Sequence, residues 1–348
     1  MTQDSRWPAE RAHSWMDSRS WRNGCNFSPS SASNQLEFWQ AETFDPETLE
    51  RELDLAAGIG FTSLRVFLHD LVWRHDRDGF LARVDRFLDM TSSRGIGTLM
   101  VLFDGVWDPF PKWGTQAEPR PGIHNSRWVQ SPGAEILGDL KRHDQMKPYV
   151  QGVVGYFRDD LRIDGWDLFN EPDNLNFAYR DVEIMDKRER SHELLIKTFE
   201  WVREVNPIQP LTAGIWLGDW STHEKLRDIE RLCVEQSDII SFHHYGELAD
   251  LSSRVEALRR YRRPLLCTEW LARGMGSRVE THLGWMRDES VGAYCWGFVQ
   301  GRTQTHLPWD SWAKPDQGEP VPWHHELYRR DGTPYDDAEV EFIRSLAK

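Results

Sequence analysis

A chain of 348 residues is ordinary for one α/β barrel, which runs from roughly 200 to over 400 residues. A formal net charge of -14 argues against nucleic acid, anionic membranes and polyanionic substrates, each of which would meet long-range repulsion, and points to a neutral ligand. No run reaches the ~20 apolar residues of a membrane span, and the polar start MTQDSRWPAERAHSWMDSRSW has no secretory h-region, so a cytoplasmic protein is expected.

Short apolar, β-branched runs alternate with longer helical patterns, as in successive βα units around a parallel sheet. After an N-terminal extension (residues 1–20), the first strand is expected near Gly24–Ser28. Asp45-Pro46 then announces a helix, an N-cap carboxylate followed by proline at the first helical position, which stops at Gly58-Ile59-Gly60. TSLRVFL (Thr62–Leu68) is the second strand. A helix around FLARVDRFLDMTSSRG leads to the third, GTLMVLFD (Gly97–Asp104). A helix near Pro148–Asp160 feeds the fourth, IDGWDLF (Ile163–Phe169). The pattern SHELLIKTFEWVREVNP, apolar at three and four residues, is a helix that delivers PLTAGIW (Pro210–Trp216). DIISFHH (Asp238–His244), PLLCTE (Pro264–Glu269) and VGAYCWGF (Val291–Phe298) complete eight strands, and AEVEFIRSLA reads as a closing helix. The prediction is one (β/α)8 TIM barrel over residues 1–348, with long loops after strands three and eight, from Gly105 to about Gly133 and from Val299 to about Thr333. Loops of that length in a compact domain are usually functional.

In a barrel the C-terminal strand ends converge on one mouth. Here they offer Ser28, Arg65 with His69, Asp104, Asn170 with Glu171, Trp216, His243 with Tyr245, Glu269 and Trp296. Glu171 closes strand four in WDLFNEP and Glu269 closes strand seven in PLLCTEW. Glycosidic cleavage needs one carboxylic acid to protonate the leaving oxygen and one carboxylate to attack or to activate water; these two can supply both. A charged Arg65 inside SLRVFL needs a buried partner, and Glu269 is a natural one. The chain has 18 tryptophans, many in loops. An exposed ring is a flat platform for the C–H face of a sugar, and Trp107, Trp113, Trp128, Trp309, Trp312 and Trp323 are collective subsite candidates.

Asn-Glu-Pro ending strand four, Arg inside strand two, His-x-Tyr ending strand six, Glu ending strand seven and Trp on strand eight, in that order, resemble the set found in clan A retaining glycoside hydrolases, closest to glycoside hydrolase family 5. The likeness runs from about Asn23 to Phe298. It implies a retaining β-glycosidase acting on a neutral oligosaccharide, glycan or glycoside. Glu171 would be the acid/base and Asn170 would bond the sugar 2-hydroxyl. Glu269 would be the nucleophile, kept ionised by Arg65 and bonded by Tyr245. His243 would line the cleft near the acid/base, and Trp296 would floor the sugar that is cleaved. The family commonly ends strand three with histidine, whereas this chain has Asp104.

No cofactor or metal is expected. His243 and His244 are adjacent, so only one can enter the mouth. Asp104 suits either a sugar hydroxyl or a loop backbone. Asp173, Asn174 and Asn176 either bind hydroxyls or start the next helix, Trp107 and Trp216 are substrate contacts, and His324 and His325 have no assignable partner. Cys25, Cys233, Cys267 and Cys295 lack metal or redox spacing and read as reduced, mostly buried thiols. Two other readings stand beside the hydrolase: a non-catalytic carbohydrate-binding barrel, and a metal-dependent hydrolase using His243 and Asp104. The sugar, endo or exo action and the oligomeric state are open.

Overall fold

The structure, a computed structural model, describes residues 6–315 and 317–347. Eight strands are present: β1 (Asn23–Asn26), β2 (Ser63–Phe67), β3 (Gly97–Asp104), β4 (Ile163–Asn170), β5 (Leu211–Thr212), β6 (Ile240–His243), β7 (Leu265–Trp270) and β8 (Val291–Trp296). Each is followed by a helix, in turn Pro46–Gly58, Arg77–Ser92, Lys147–Tyr156, Lys187–Val205, Asp228–Gln236, Leu248–Arg259, Val279–Asp288 and Asp337–Leu346. The strands pair in the order β5-β4-β3-β2-β1-β8-β7-β6, with every ladder parallel. The ends of that sheet meet through a single parallel bridge, Ile215 to Phe242. This is a (β/α)8 barrel.

Local chemistry accounts for the elements. Asp45 caps the first barrel helix by accepting from the Thr48 N–H, a contact worth about 0.5–2 kcal/mol. The long Lys187–Val205 helix ends at Asn206 in the left-handed conformation (φ 53°), which asparagine tolerates better than most residues. The strands carry near-continuous burial because helices cover one face and the barrel interior the other.

Strand five departs from expectation. PLTAGIW predicts a run from Pro210 to Trp216, yet only Leu211–Thr212 pair regularly with β4. Toward β6, side chains replace backbone rungs: the Thr212 and Ser241 hydroxyls lie 2.7 Å apart, and the Ser241 N–H donates to Thr212 Oγ1 at 3.1 Å.

The extension is part of the globule from Arg6 onward. Its Ala9–Asp17 helix brings Trp7 and Trp15 against Leu99, Ile239, Leu266 and Tyr294, plugging the end of the barrel away from the mouth. Among the described residues, no helix is long and apolar enough to cross a membrane. All four cysteines are buried and unpaired.

Candidate active site

Arg65 organises the mouth from below. Fully buried on β2, its guanidinium donates to Asn26 Oδ1 at 2.7 Å, Glu269 Oε1 at 2.9 Å, Asn170 Oδ1 at 2.7 Å and Asp167 Oδ2 at 3.0 Å. A buried cation is tolerated only when its donors are satisfied and its charge is met, and here β1, β4 and β7 supply the acceptors. Two of these, Asn26 and Asp167, carry no signal in the sequence. Each sits inside a strand, where one polar residue among apolar neighbours does not declare which face it occupies.

Glu171 follows the last residue of β4 with φ 40°, a left-handed conformation that costs a non-glycine residue of order 1–3 kcal/mol and tends to occur at functional sites. Glycine at 105 permits it: a Cβ there would stand 2.3 Å from the Glu171 carbonyl oxygen. The Glu171 carboxyl meets His243 Nδ1 at 2.9 Å and accepts from Asn174 Nδ2 at 2.7 Å. Glu269, one residue before the end of β7, shares His243 with it and accepts from the Tyr245 hydroxyl at 2.8 Å. One oxygen of each carboxyl and a ring nitrogen of His243 lie within 4.8 Å of one another.

Burial dominates the electrostatics. It pushes the Glu171 carboxyl up to about 7, against the Asn174 bond and the field of Arg65. It pushes Glu269 up to about 6, reinforced by the charge of Glu171, so Arg65 limits the rise without holding this carboxyl low as expected. Burial likewise depresses His243 to about 4, so its imidazole is neutral at physiological pH. The two carboxyls thus favour opposite protonation states in the same narrow pH range.

Asp104 has a supporting place. Its carboxyl accepts from Asn170 Nδ2 at 3.0 Å, Gln35 Nε2 at 2.9 Å, Trp128 Nε1 at 2.6 Å and the Val106 N–H at 3.1 Å. Only 1% exposed, it orients Asn170, and of its two expected partners, a sugar hydroxyl or a loop backbone, it has the backbone one at Val106. It does not join the metal reading. The one group of metal-ligating side chains converging among the described residues is Glu171, His243 and Glu269, and the Arg65 guanidinium bonded to Glu269 would repel a divalent cation there.

Above the carboxyls opens a cleft of about 420 Å³ walled by Trp107, Trp216, Trp296 and Trp309, with Tyr245, Asn174 and Asp173 among its polar groups. Trp216 is pinned by Nε1–H donating to Asp173 Oδ1 at 2.8 Å. The other loop tryptophans pack elsewhere: Trp113 on His75, Trp312 on Trp107, Trp323 on Tyr335, and Trp128 edge-on to Trp296. His324 and His325 pack against Trp309. His244 turns away to Asp250 at 2.8 Å, and buried His69 caps the helix start at Leu71. Ser28 lies behind Trp296. His124, Asn125, Leu175 and Phe177, also in the cleft wall, carried no local sequence signal because loop conformation alone places them.

No protein-family model matches the chain, and no curated protein matches its sequence. Solved structures match in fold. An exo-beta-1,4-mannosidase from Opitutaceae bacterium strain TAV5 superposes with a TM-score of 0.61 at 20% identity, over 94% of this chain and 60% of that one. GH5_18 from Bifidobacterium longum subsp. longum gives 0.62 at 13% identity, over 94% and 78%. An endo-1,4-beta-mannanase from Eisenia fetida gives 0.60 at 13%, over 94% and 91%. The chain therefore spans about 60% of the length of the first of these, and what it is similar to in all three is the barrel.

Proposed function

We propose that the protein is a retaining β-glycosidase in which Glu269 attacks the anomeric carbon while protonated Glu171 releases the aglycone; Glu171 then activates water to free the sugar. The observation that carries this is that the two carboxyls face each other across His243, with one oxygen of each within 4.8 Å of the other. Double displacement uses carboxyl groups about 5–5.5 Å apart, whereas inversion needs about 6.5–9.5 Å to admit a water between them. The environments fit the division of labour. Glu171, the more strongly raised, retains a proton to donate, and Glu269, bonded by Arg65 and Tyr245, is the better anion. Asn170, held at its oxygen by Arg65 and at its nitrogen by Asp104, presents a fixed amide edge to the sugar 2-hydroxyl. Trp296 serves as the floor under the ring.

Neutral β-glycosides are the substrate class, and β-mannosides are the first to test because similar structures are named as mannosidase and mannanase. The deciding experiment is Glu269→Ala assayed with an activated aryl β-glycoside. Turnover is expected to fall by at least about 10⁴-fold with the fold intact by circular dichroism, and added azide should yield a glycosyl azide of inverted configuration. A variant that keeps near-normal activity would remove Glu269 from the mechanism. Binding of glycosides without turnover by the unaltered protein would return the carbohydrate-binding reading.

A further inference from the structure

We infer that the glycone side of the cleft holds a single sugar, so that the enzyme removes terminal residues or hydrolyses simple glycosides and does not cut within a chain. This rests on the glycosidase reading above and adds the mode of attack to it.

The direction of the substrate follows from the chemistry. Glu171 protonates the leaving oxygen, so the aglycone departs on the β4 side. Glu269 on β7 and Trp296 on β8 hold the sugar under attack. Any further sugar on the glycone side would have to pass over β8, β1 and β2, which are neighbours in the sheet.

That sector is closed by three loops knitted together. The Asn125 N–H donates to the Thr303 carbonyl at 2.7 Å. The His124 N–H donates to Ser311 Oγ at 2.9 Å, and the Gly122 N–H to Gln304 Oε1 at 3.0 Å. Arg302 bridges Glu118 at 2.8 Å and Glu37 at 3.0 Å, tying the loop after β8 to those after β3 and β1. Asn34, wholly buried, donates to the Arg127 carbonyl at 2.8 Å. The space left behind Trp296, bounded by Asn26, Trp128 and Glu326, is about 20 Å³. This admits about one water, whereas sites for small organic ligands occupy about 300–1,000 Å³.

The other side is open. Leu175, Phe177 and Leu217 are 50%, 51% and 39% exposed at the rim beyond Glu171, an apolar lip that can receive a sugar or an aryl aglycone.

The test uses the full chain with two substrate sets. The first is the 4-nitrophenyl β-mannoside, β-glucoside and β-xyloside; the second is reducing-end-labelled mannopentaose, cellopentaose and xylopentaose, with early products separated by chromatography. The expected result is turnover of an aryl glycoside together with labelled tetramer and free monosaccharide as first products. Aryl glycosides cleaved with every pentamer untouched also supports a one-sugar site. Labelled dimer or trimer before tetramer, with aryl glycosides cleaved, overturns the single-sugar site while leaving the glycosidase reading in place. No turnover in either set overturns both.

Discussion

Arg65 makes the site a unit, because one guanidinium holds Glu269, the Asn170 amide beside Glu171 and the buried Asp167 carboxylate at once. Arg65→Met would leave Asp167 and Glu269 buried without their cation. Stripping one partner from a buried ion pair costs about 3–5 kcal/mol, so urea unfolding should show a loss of that order, and kcat/KM should fall with it. The carboxyls predict a narrow bell for kcat/KM against pH. Activity is expected to fall below about 6 as Glu269 takes up a proton and above about 7 as Glu171 loses one, the two limbs belonging to the pair. A profile flat from pH 5 to 9 would count against this pairing. At this scale the sequence was most legible where a polar or aromatic residue closes an apolar strand, as at Asn170, Glu171, His243, Glu269 and Trp296, or where a charge interrupts one, as at Arg65. The choice between the two readings of Asp104 was not legible, because its donors Gln35 and Trp128 sit in the excursions after β1 and β3, whose paths no local pattern specifies.

At the level of elements, the periodicities placed all eight strands in order and erred where backbone rungs give way to side-chain bonds, at β5. They left the extension without a structural role, because a short amphipathic segment has no signal for what it will pack upon. Trp7 shows what that packing does. It is 6% exposed, its backbone N–H donates to Asp238 Oδ1 at 2.8 Å, and Arg11 stacks on its ring at 3.7 Å. Trp7→Ala is expected to cost about 3–5 kcal/mol in chemical denaturation. Because the plug lies at the end of the barrel opposite the carboxyls, kcat/KM should stay within about twofold of the unaltered protein at temperatures where both are folded.

Across the whole molecule, two opposed sets of buried groups shape stability. Burial holds His124 down to about 3 and His243, His306 and His324 to about 4. Between pH 6.5 and those values the unfolded chain binds protons that the folded chain refuses, so stability falls as pH falls. Burial also holds Asp104 and Glu171 up to about 7 and Glu326 up to about 8. Their extra protons favour the folded state at low pH, and that advantage is lost as pH rises through these values. The melting temperature should therefore peak near pH 6 to 6.5 and decline on both sides in scanning fluorimetry, with Glu326→Gln flattening the alkaline limb. A maximum above pH 8 would show that surface charges outweigh the buried ones.

The join between β5 and β6 gives this barrel a preferred place to breathe. Seven of its eight strand junctions are ladders, and the eighth is the lone Ile215 to Phe242 bridge helped by Thr212 and Ser241. A rolled sheet held there by a few bonds and no ladder can part without unzipping one, so amides of β5 and β6 at this join are expected to exchange with deuterated solvent before those of the laddered strands. The join lies directly below His243 and Trp216. Brief opening would loosen the cleft wall at Trp216, while the clasped loops over Trp296 stay shut.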